Sequence, residues 1–463
     1  MFKIKARKLI NSRIPLSRCL KRNYSYHYNY QQQYKPRTSF AQKFLYTIVG
    51  STVISGYCYY MFWPKHTFPK SVAKILRKGL WAESERGEFD YQLALKYYIE
   101  ALLHCKEINM DPLSDEYTGI QLKIAEMYER LNMLSDAGFV LNEIATLYLS
   151  ALTAKDSKLS RDRRRHLIQK DLRIALKLVE LNKLNPQLSK AILITHLIIA
   201  QDEVNKMSKG KGLNLEEGAS SGGTFKAVPD SDAIIINDEL GKEVGRVEKT
   251  PEIWYPFTDE FFNCMDLLSA ICISTGDLSM ATKIKISMCE SMLLADIEPF
   301  KMLLSQCNLG GLLYMQAEEI EGQEIRIKKG KEEIDKPESE LEKLAKSREV
   351  CINLAIKSYS SVLEFAKTIP KDVISENNEI LETVALATYG LGVINLHLQN
   401  YDKAERLLRE SRVRSRQCNY GYLIPEIERE LGKLFKERKE VKEGKDPRRK
   451  KEVNDIEMDI HLK

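Results

Sequence analysis

The side chains that could carry out chemistry are scattered along the chain. Nine cysteines and seven histidines occur in 463 residues, and no two cysteines form the C-x-x-C pair used in redox and zinc sites. Cys264 and Cys272 lie in the apolar run FFNCMDLLSAICIS, where a thiol packs as a small hydrophobic group. These patterns predict buried thiols, no disulfide framework and no metal site.

Sequence motifs for catalysis are also missing. The run GASSGG (218–223) could suggest a phosphate-binding loop, but it lacks the Lys-Ser/Thr that should follow. The sequence contains no match to the motifs of P-loop enzymes, zinc proteases, nucleophile-elbow hydrolases or EF-hand calcium loops. We therefore predict a protein that is not an enzyme, with no catalytic residues and no cofactor.

One short motif indicates that the chain is itself a substrate for proteolytic processing. Arg22, Tyr24 and Ser25 belong to the tetrapeptide RNYS, which resembles the R-x-Y/S site of matrix processing, with cleavage between Tyr24 and Ser25. Around it, residues 1–24 alternate basic with apolar side chains and contain no acid, the composition of a mitochondrial presequence. The alternative is a chance tripeptide in an arginine-rich leader.

A membrane anchor is predicted after a Tyr/Gln-rich flexible linker, residues 25–43. Residues 44–63 (FLYTIVGSTVISGYCYYMFW) carry no charge and end in aromatic side chains. Twenty helical residues span about 30 Å, the thickness of the hydrocarbon core of a bilayer. Aromatic residues favour the level of the headgroups, and Pro64 would end the helix. The alternative is a buried core helix.

The basic charge of the protein is concentrated in its first 82 residues. They hold sixteen of the 71 Lys and Arg and none of the 65 acidic residues, so the remaining chain has a net charge of −10. A nucleic-acid-binding body would carry its own basic excess, and we therefore predict no nucleic-acid partner. Both flanks of segment 44–63 are basic, so charge alone does not set its orientation. A matrix-directed leader followed by a stop predicts a body in the intermembrane space.

The body that follows is predicted to consist of helical hairpins. Apolar residues recur at intervals of three and four from about residue 70. The clearest unit, ALATYGLGVINLHLQNYDKAERLLRESR (385–412), resembles the tetratricopeptide repeat at Leu391, Gly392, Tyr401, Ala404 and Leu408. Small residues would let two antiparallel helices cross closely, while the tyrosine and leucine fill the space between them.

The same spacing recurs in earlier parts of the chain, with two more degenerate units near residues 178–198 and 355–362. The matching positions are Ala94, Tyr98 and Ala101; Ala125, Tyr128 and Ala137; and Gly276 and Ala281. We predict an all-α, tetratricopeptide-like α-solenoid of about six hairpins, preceded by one transmembrane helix. A last helix over about 424–440 would cap its apolar end.

Composition divides this body. Helical repeats are predicted over 70–206 and, with the capping helix, over 251–440. Residues 207–250 are rich in Gly, Ser and charge and are predicted to be a disordered linker. A charged run, 320–346, should extend two antiparallel helices, and residues 441–463 form a charged tail.

Stacked helical hairpins offer a groove for extended or helical peptides. Groove binding of unfolded or exposed apolar segments is the function that the repeats predict. Some tetratricopeptide domains hold a C-terminal carboxylate with a Lys/Asn/Arg clamp. Asn308, Asn395, Lys403 and Arg406 are of the required types, but their arrangement departs from that pattern.

The order of parts resembles the fungal tetratricopeptide adaptors of the mitochondrial inner-membrane i-AAA protease and their close paralogues. The resemblance covers nearly the whole chain, and its most specific parts are Trp63-Pro64-Lys65 and TFPKSVAKILRKGLWAESERGEFDYQLALKYYIEAL (67–102). It implies a single-pass inner-membrane protein that binds misfolded or unassembled membrane proteins and presents them to the protease. It also implies two partners, the i-AAA protease and a second membrane adaptor subunit.

Two other functions fit the same parts. A tetratricopeptide import receptor of the outer membrane would keep Met1 and lack a cleaved leader. A respiratory-complex assembly factor would use the groove for one dedicated client. The number of bound clients would distinguish this assembly factor from an adaptor, which binds many.

Overall fold

The computed structural model describes residues 49–59, 67–154, 159–210, 224–227, 233–237, 243–329, 337–369 and 377–443. The chain divides into two compact units, Met1–Thr67 and Phe68–Lys463. In the first unit, residues 49–59 are helical, and they are the only part of the predicted anchor 44–63 among the described residues. The predicted presequence and linker (1–43), with Arg22, Tyr24 and Ser25, lie outside them, as does most of the predicted tail 441–463.

The described part of the second unit contains thirteen α-helices, and each packs against the next along the chain. They are α1 (Lys70–Ala82), α2 (Tyr91–Glu107), α3 (Asp115–Arg130), α4 (Leu134–Thr153), α5 (Arg161–Leu181), α6 (Pro186–Gly210), α7 (Thr258–Ser274), α8 (Leu278–Leu294), α9 (Pro299–Lys328), α10 (Pro337–Thr368), α11 (Asn378–His397), α12 (Tyr401–Gln417) and α13 (Leu423–Lys442).

Alternate helices also meet, as in α5 with α7, α9 with α11 and α11 with α13. Contacts between consecutive and alternate helices are those of an α-solenoid built from helical hairpins. Of the charged run 320–346, residues 320–328 lie in α9 and residues 337–346 lie in α10. These helices are antiparallel, because Gln306 contacts Ser358 while Glu324 contacts Arg348.

Short polar segments end one helix and start the next. After α7, Gly276 has a φ of +77°, a left-handed conformation that glycine adopts without steric cost. The next residue, Asp277, caps α8 by accepting a hydrogen bond from the backbone N–H of Met280 at 3.2 Å. Asp90 and Ser114 cap α2 and α3 in the same way. These turns fix the hairpin geometry that the repeat spacing requires.

Three clusters of buried apolar side chains follow one another along the body. The first joins α1 to α4 around Tyr98, and the second extends from α3 to α9 and includes Trp254, whose ring centroid is 5.3 Å from that of Phe261. The third, around Tyr359 and Tyr314, joins α8 to α13. The core is therefore a series of neighbouring clusters, as expected for stacked hairpins.

A small sheet corrects the prediction for residues 207–250. Helix α6 continues to Gly210, and three strands follow: β1 (Thr224–Ala227), β2 (Ala233–Asn237) and β3 (Glu243–Glu248). They form an antiparallel sheet in the order β1-β2-β3. The sequence of β2, AIIIN, has three consecutive β-branched residues, which favour strands. The described body is helical as predicted apart from these fifteen strand residues, which fall in the segment that the sequence predicts to be a disordered linker.

Among the described residues, α11 is the helix that is long and apolar enough to cross a membrane. However, 78% of its most apolar stretch is buried inside the body. Helices α9, α10, α12 and α13 all contact it. Its apolar character is therefore explained by its position at the centre of the C-terminal hairpins.

Candidate binding surface

The buried polar cluster nearest to a catalytic arrangement lies between α5, α6 and α7. Nδ1 of His196 is 2.7 Å from Oδ2 of Asp171, and both side chains are almost fully buried. Burial raises the pKa of Asp171, and the hydrogen bond from His196 opposes that shift. Burial also raises the pKa of the neighbouring Cys264 thiol. A protonated thiol without solvent access is a poor nucleophile, so this cluster is structural.

The other buried thiols are unsuited to chemistry for the same reason. Burial raises the pKa of Cys289 to about 11 and that of Cys307 to about 12. Within the described residues, no group of three or more His, Cys, Asp or Glu side chains could hold a metal ion. What the described body does offer is an open cleft.

The cleft has a volume of about 660 Å³ and lies between the end of α2, the start of α3 and one face of α4. Helix α4 buries Ala137, Leu141, Ile144, Ala145, Tyr148 and Leu152 on its core side. The opposite side of the same helix therefore remains available to the cleft. The lining residues are Lys106, Pro112, Tyr117, Gln121, Phe139, Asn142, Glu143, Thr146, Leu147 and Ser150.

Phe139 is the main apolar surface of this cleft. Its side chain is 72% exposed, although burying an aromatic side chain of this size would be worth about 2 kcal/mol. Leu147 and Pro112 add smaller apolar surfaces to the lining. An apolar cleft open to solvent is a typical binding site for a peptide or small ligand.

Gln121 has a polar group that its own fold leaves unpaired. The residue is only 3% exposed, and its Oε1 accepts no hydrogen bond from any described residue. A buried amide oxygen without a donor is costly, by about 1–3 kcal/mol. Gln121 is therefore a buried amide beneath the cleft, and its unpaired oxygen is not exposed at the cleft surface.

Charges of both signs lie at the cleft. Lys106 and Glu143 line it, and neither takes part in an ion pair among the described residues. Burial and the nearby charge of Glu143 raise the pKa of Tyr117, so its hydroxyl remains protonated at neutral pH. The cleft thus combines an aromatic surface with two charges, and its lining residues include no nucleophile or metal site.

The C-terminal hairpins offer no comparable surface on α11. Of residues 383–396, thirteen are buried and only Leu386 is partly exposed. The clamp alternative places Asn395 here, but its Nδ2 donates to the carbonyl oxygen of Leu391 at 2.7 Å. Lys403 and Arg406 lie exposed on α12, and Asn308 is half-buried in α9. The amide of Asn395 is therefore already used within its own helix.

The predicted repeat positions lie mostly in the core. Ten are buried: Ala94, Tyr98, Ala101, Ala125, Ala137, Ala281, Leu391, Gly392, Ala404 and Leu408. Tyr128 and Tyr401 are half-buried, and Gly276 lies in an exposed turn. A Cβ on Gly392 would lie 2.8 Å from the Leu408 side chain, and the Ser411 hydroxyl donates to the carbonyl oxygen of Ala385 at 2.8 Å. Helices α11 and α12 thus cross as closely as small residues permit.

Sequence reasoning missed Gln121 and Phe139. Both fall between the positions that define the repeat, so the repeat pattern carries no information about them. A signal for Phe139 was present, however. It is an aromatic residue on the side of α4 opposite to Ala137, Leu141 and Ile144, where an amphipathic helix should be polar.

Comparison with known proteins identifies the family. The chain is 35% identical over 431 residues to "Mitochondrial inner membrane i-AAA protease supercomplex subunit MGR3" of Saccharomyces cerevisiae, covering 86% of this chain and 84% of that protein. The chain belongs to the MGR3 family. A profile of the MGR3 middle domain matches residues 156–297, which include α5 to α8 and the three-stranded sheet. The resemblance drawn from residues 63–102 is thereby confirmed.

A second relative is similarly distant. "Protein MRG3-like" of the same yeast is 33% identical over 416 residues, covering 86% of this chain and 89% of that protein. Among solved structures, the TPR2AB domain of yeast Sti1 aligns at 12% identity with a TM-score of 0.21, over 79% of this chain and 98% of that chain. That alignment adds nothing to the fold, which rests on the described helices of this MGR3-family chain.

Proposed function

We propose that this protein is a non-enzymatic adaptor of the mitochondrial i-AAA protease. It would bind misfolded or unassembled inner-membrane proteins and present them for degradation. The observation that carries the proposal is the 35% identity to a subunit of that protease supercomplex, which extends over 86% of this chain. An identity spread over 86% of the chain supports a shared architecture more strongly than a match to one repeat would.

The described body supports an adaptor in two ways. Six of its seven described cysteines are buried, burial raises the pKa of the thiols, and the buried Asp171–His196 pair is enclosed. This leaves binding as the role for the open cleft. The exposed Phe139 at the cleft suits an extended apolar segment. Such segments are what an unassembled membrane protein exposes.

The proposal includes the placement of the chain. A cleaved presequence, residues 1–24, would direct the protein to mitochondria. Residues 44–63 would form one transmembrane helix in the inner membrane, and the body of about six hairpins would face the intermembrane space. A second membrane adaptor subunit would join the same complex, as the resemblance implies.

The test is purification of the full chain, tagged at its C-terminus, from mitochondria of its source organism solubilised in a mild detergent. The proposal expects the i-AAA protease to co-purify and undegraded inner-membrane proteins to accumulate when the chain is deleted. A matched control keeps the body and replaces residues 44–63 with an unrelated transmembrane helix. It separates association through the membrane segment from association through the body.

Three results would count against this proposal. Recovery of the chain without the protease, in a mitochondrial extract where the protease is intact, would remove the adaptor function. A mature N-terminus that retains Met1, read by mass spectrometry, would contradict the presequence. Cleavage of the body by protease added to intact mitochondria would place it outside the organelle, as expected for an import receptor.

A further inference from the structure

The first helix of the body has a basic face that its own fold does not use. Helix α1 buries Val72, Ala73, Gly79 and Ala82 against the first hairpin. Its exposed side, at helical spacing, carries Lys70, Lys74, Arg77, Lys78 and Trp81. We call these five residues the basic face of α1. The helix itself contains no acidic residue.

The core side of α1 is held firmly, so the opposite face has a fixed direction. A Cβ on Gly79 would lie 2.8 Å from the ring of Tyr98, which shows how closely α1 and α2 approach. The Tyr98 hydroxyl donates to Oε2 of Glu83 at 2.9 Å, and Glu83 also pairs with Lys123 of α3 at 3.1 Å. These contacts orient α1 on its hairpin and leave its basic face to solvent.

The cations of this face have no acidic partner among the described residues. Lys78 lies 5.6 Å from the centroid of the Tyr97 ring, and none of the four cations takes part in a described ion pair. Helix α5 is equally rich in basic residues, but five of its cations form ion pairs. Its Arg163, Arg164, Lys170, Arg173 and Lys177 pair with Asp111, Glu203, Asp115, Glu260 and Glu129.

Two large apolar side chains accompany these cations. Trp81 is 57% exposed at the centre of the basic face, and its neighbour Leu80 is 48% exposed. Tryptophan beside lysine and arginine is the composition of helices that lie in a membrane interface, where the indole sits at headgroup level. A merely solvated helical face would carry both signs of charge and no exposed tryptophan.

The length of the connecting chain brings this helix within reach of a membrane. Only six residues separate Trp63, the end of the proposed anchor, from Lys70. A fully extended chain of six residues spans at most about 20 Å. This step rests on the anchor in the proposed function, and it does not depend on the protease.

We propose that the basic face of α1 binds the phosphate headgroups of anionic phospholipids at the surface of the anchoring membrane. Lys70, Lys74, Arg77 and Lys78 contact the phosphates, and Trp81 enters the interface beside them. The first hairpin, with the cleft on α2 to α4, is then held next to the bilayer from which client segments emerge. Binding of this kind falls steeply with salt.

The test uses the full chain reconstituted through its anchor into phosphatidylcholine vesicles, with or without phosphatidylglycerol. Trp81 fluorescence is measured with a phospholipid brominated near the headgroup, which quenches only nearby tryptophans. Subtracting the signal of Trp81→Phe removes the contributions of Trp63 and Trp254. We expect quenching of Trp81 in anionic vesicles only, and its loss at high salt.

Charge neutralisation provides the second measurement. Replacing the four cations of the basic face should weaken the binding of α1 to the anionic vesicle surface. The variant is Lys70→Gln/Lys74→Gln/Arg77→Gln/Lys78→Gln. We expect a loss of roughly fivefold for each cation removed, the factor for about 1 kcal/mol per charge near an anionic surface. A control removes four exposed cations with no described ion pair at the other end of the body: Arg416→Gln/Lys436→Gln/Lys439→Gln/Lys442→Gln. It should bind as the natural chain does. Circular dichroism checks that both variants remain helical.

Several outcomes would overturn the proposal. Absence of Trp81 quenching in every vesicle would show that the face does not reach the membrane. Equal quenching in neutral vesicles would show that charge plays no part. If the control variant loses binding as much as the α1 variant, the effect is one of total charge. If Trp81 is not quenched but the α1 variant loses a protein partner on purification, the face binds an acidic protein surface instead. None of these results affects co-purification with the protease through the body.

Discussion

The first two hairpins and the last two hairpins follow the same repeat spacing but place their apolar side chains differently. In α4, Phe139 points away from the core and is 72% exposed. In α11, nearly every side chain from 383 to 396 is buried. The repeat pattern determines how the two helices of a hairpin cross. It does not determine whether their other faces pack against the core or bind another molecule. The exposed face of α4 is therefore a candidate for contact with other molecules, whereas α11 is not.

Tyr359 shows how the C-terminal hairpins close around their centre. It extends from α10, and its ring lies against Gly310 of α9 and Gly390 of α11. The side chain is fully buried, and burial raises its pKa well above the ordinary value for tyrosine. Three helices thus meet on one aromatic ring. In the N-terminal cleft region, the ring of Phe139 is exposed instead.

The largest expected effect is on stability, from Tyr359→Ala. Removing a buried aromatic ring leaves a cavity and costs about 3–5 kcal/mol of unfolding free energy. We expect a large fall in the midpoint of thermal unfolding of the full chain in detergent. Phe139→Ala is the matched control, because truncating an exposed aromatic side chain changes stability by about 0.5 kcal/mol or less. Equal losses in the two variants would remove the distinction between the regions.

A smaller stability effect should follow from glycine substitutions. Gly390→Ala puts a Cβ 2.4 Å from the Tyr359 ring, and overpacking of this kind costs about 1–3 kcal/mol. Gly432→Ala in α13 meets no atom within 4 Å and should stabilise its helix by up to about 1 kcal/mol. The two unfolding midpoints should therefore move in opposite directions. A rise in both would show that the junction at Tyr359 has room to relax.

The smallest expected effect concerns binding at the cleft. Phe139→Ala should weaken binding of a fluorescent apolar peptide by at least about 1 kcal/mol, roughly fivefold in Kd, measured by anisotropy. The comparison variant is Val413→Ala, which removes a 54%-exposed side chain from α12 in the C-terminal region. It should leave Kd unchanged. If Val413→Ala weakens binding and Phe139→Ala does not, the binding surface lies on the C-terminal hairpins.

Much of the hairpin architecture could be predicted from local pattern. Ala94, Tyr98 and Ala101 of α2 mark one face of one helix, so their burial follows from spacing alone. Gly392 and Leu408 also follow, because the repeat fixes which small residue faces which large one. Both features involve helices that are neighbours along the chain, so the residue spacing of a single sequence is enough to predict them.

The rest depends on contacts between distant residues. Nothing in the sequence connects Tyr359 with both Gly310 and Gly390, because these positions come together only when three helices pack. The unpaired state of the buried Gln121 oxygen depends on which donors the folded chain brings near it. The sheet at 224–248 was missed because Gly, Ser and charged residues dominate the composition around its strands.

The burial of most of α11 has a consequence for damaged copies of this protein. When the C-terminal hairpins open, a twenty-residue apolar helix becomes exposed, and it resembles a stray membrane segment in length and composition. Under the proposed function, that is the kind of segment which the intact protein collects from others. An unfolded copy would then become a client of its neighbours. Intact copies of the protein would thus also bind unfolded copies of the same protein.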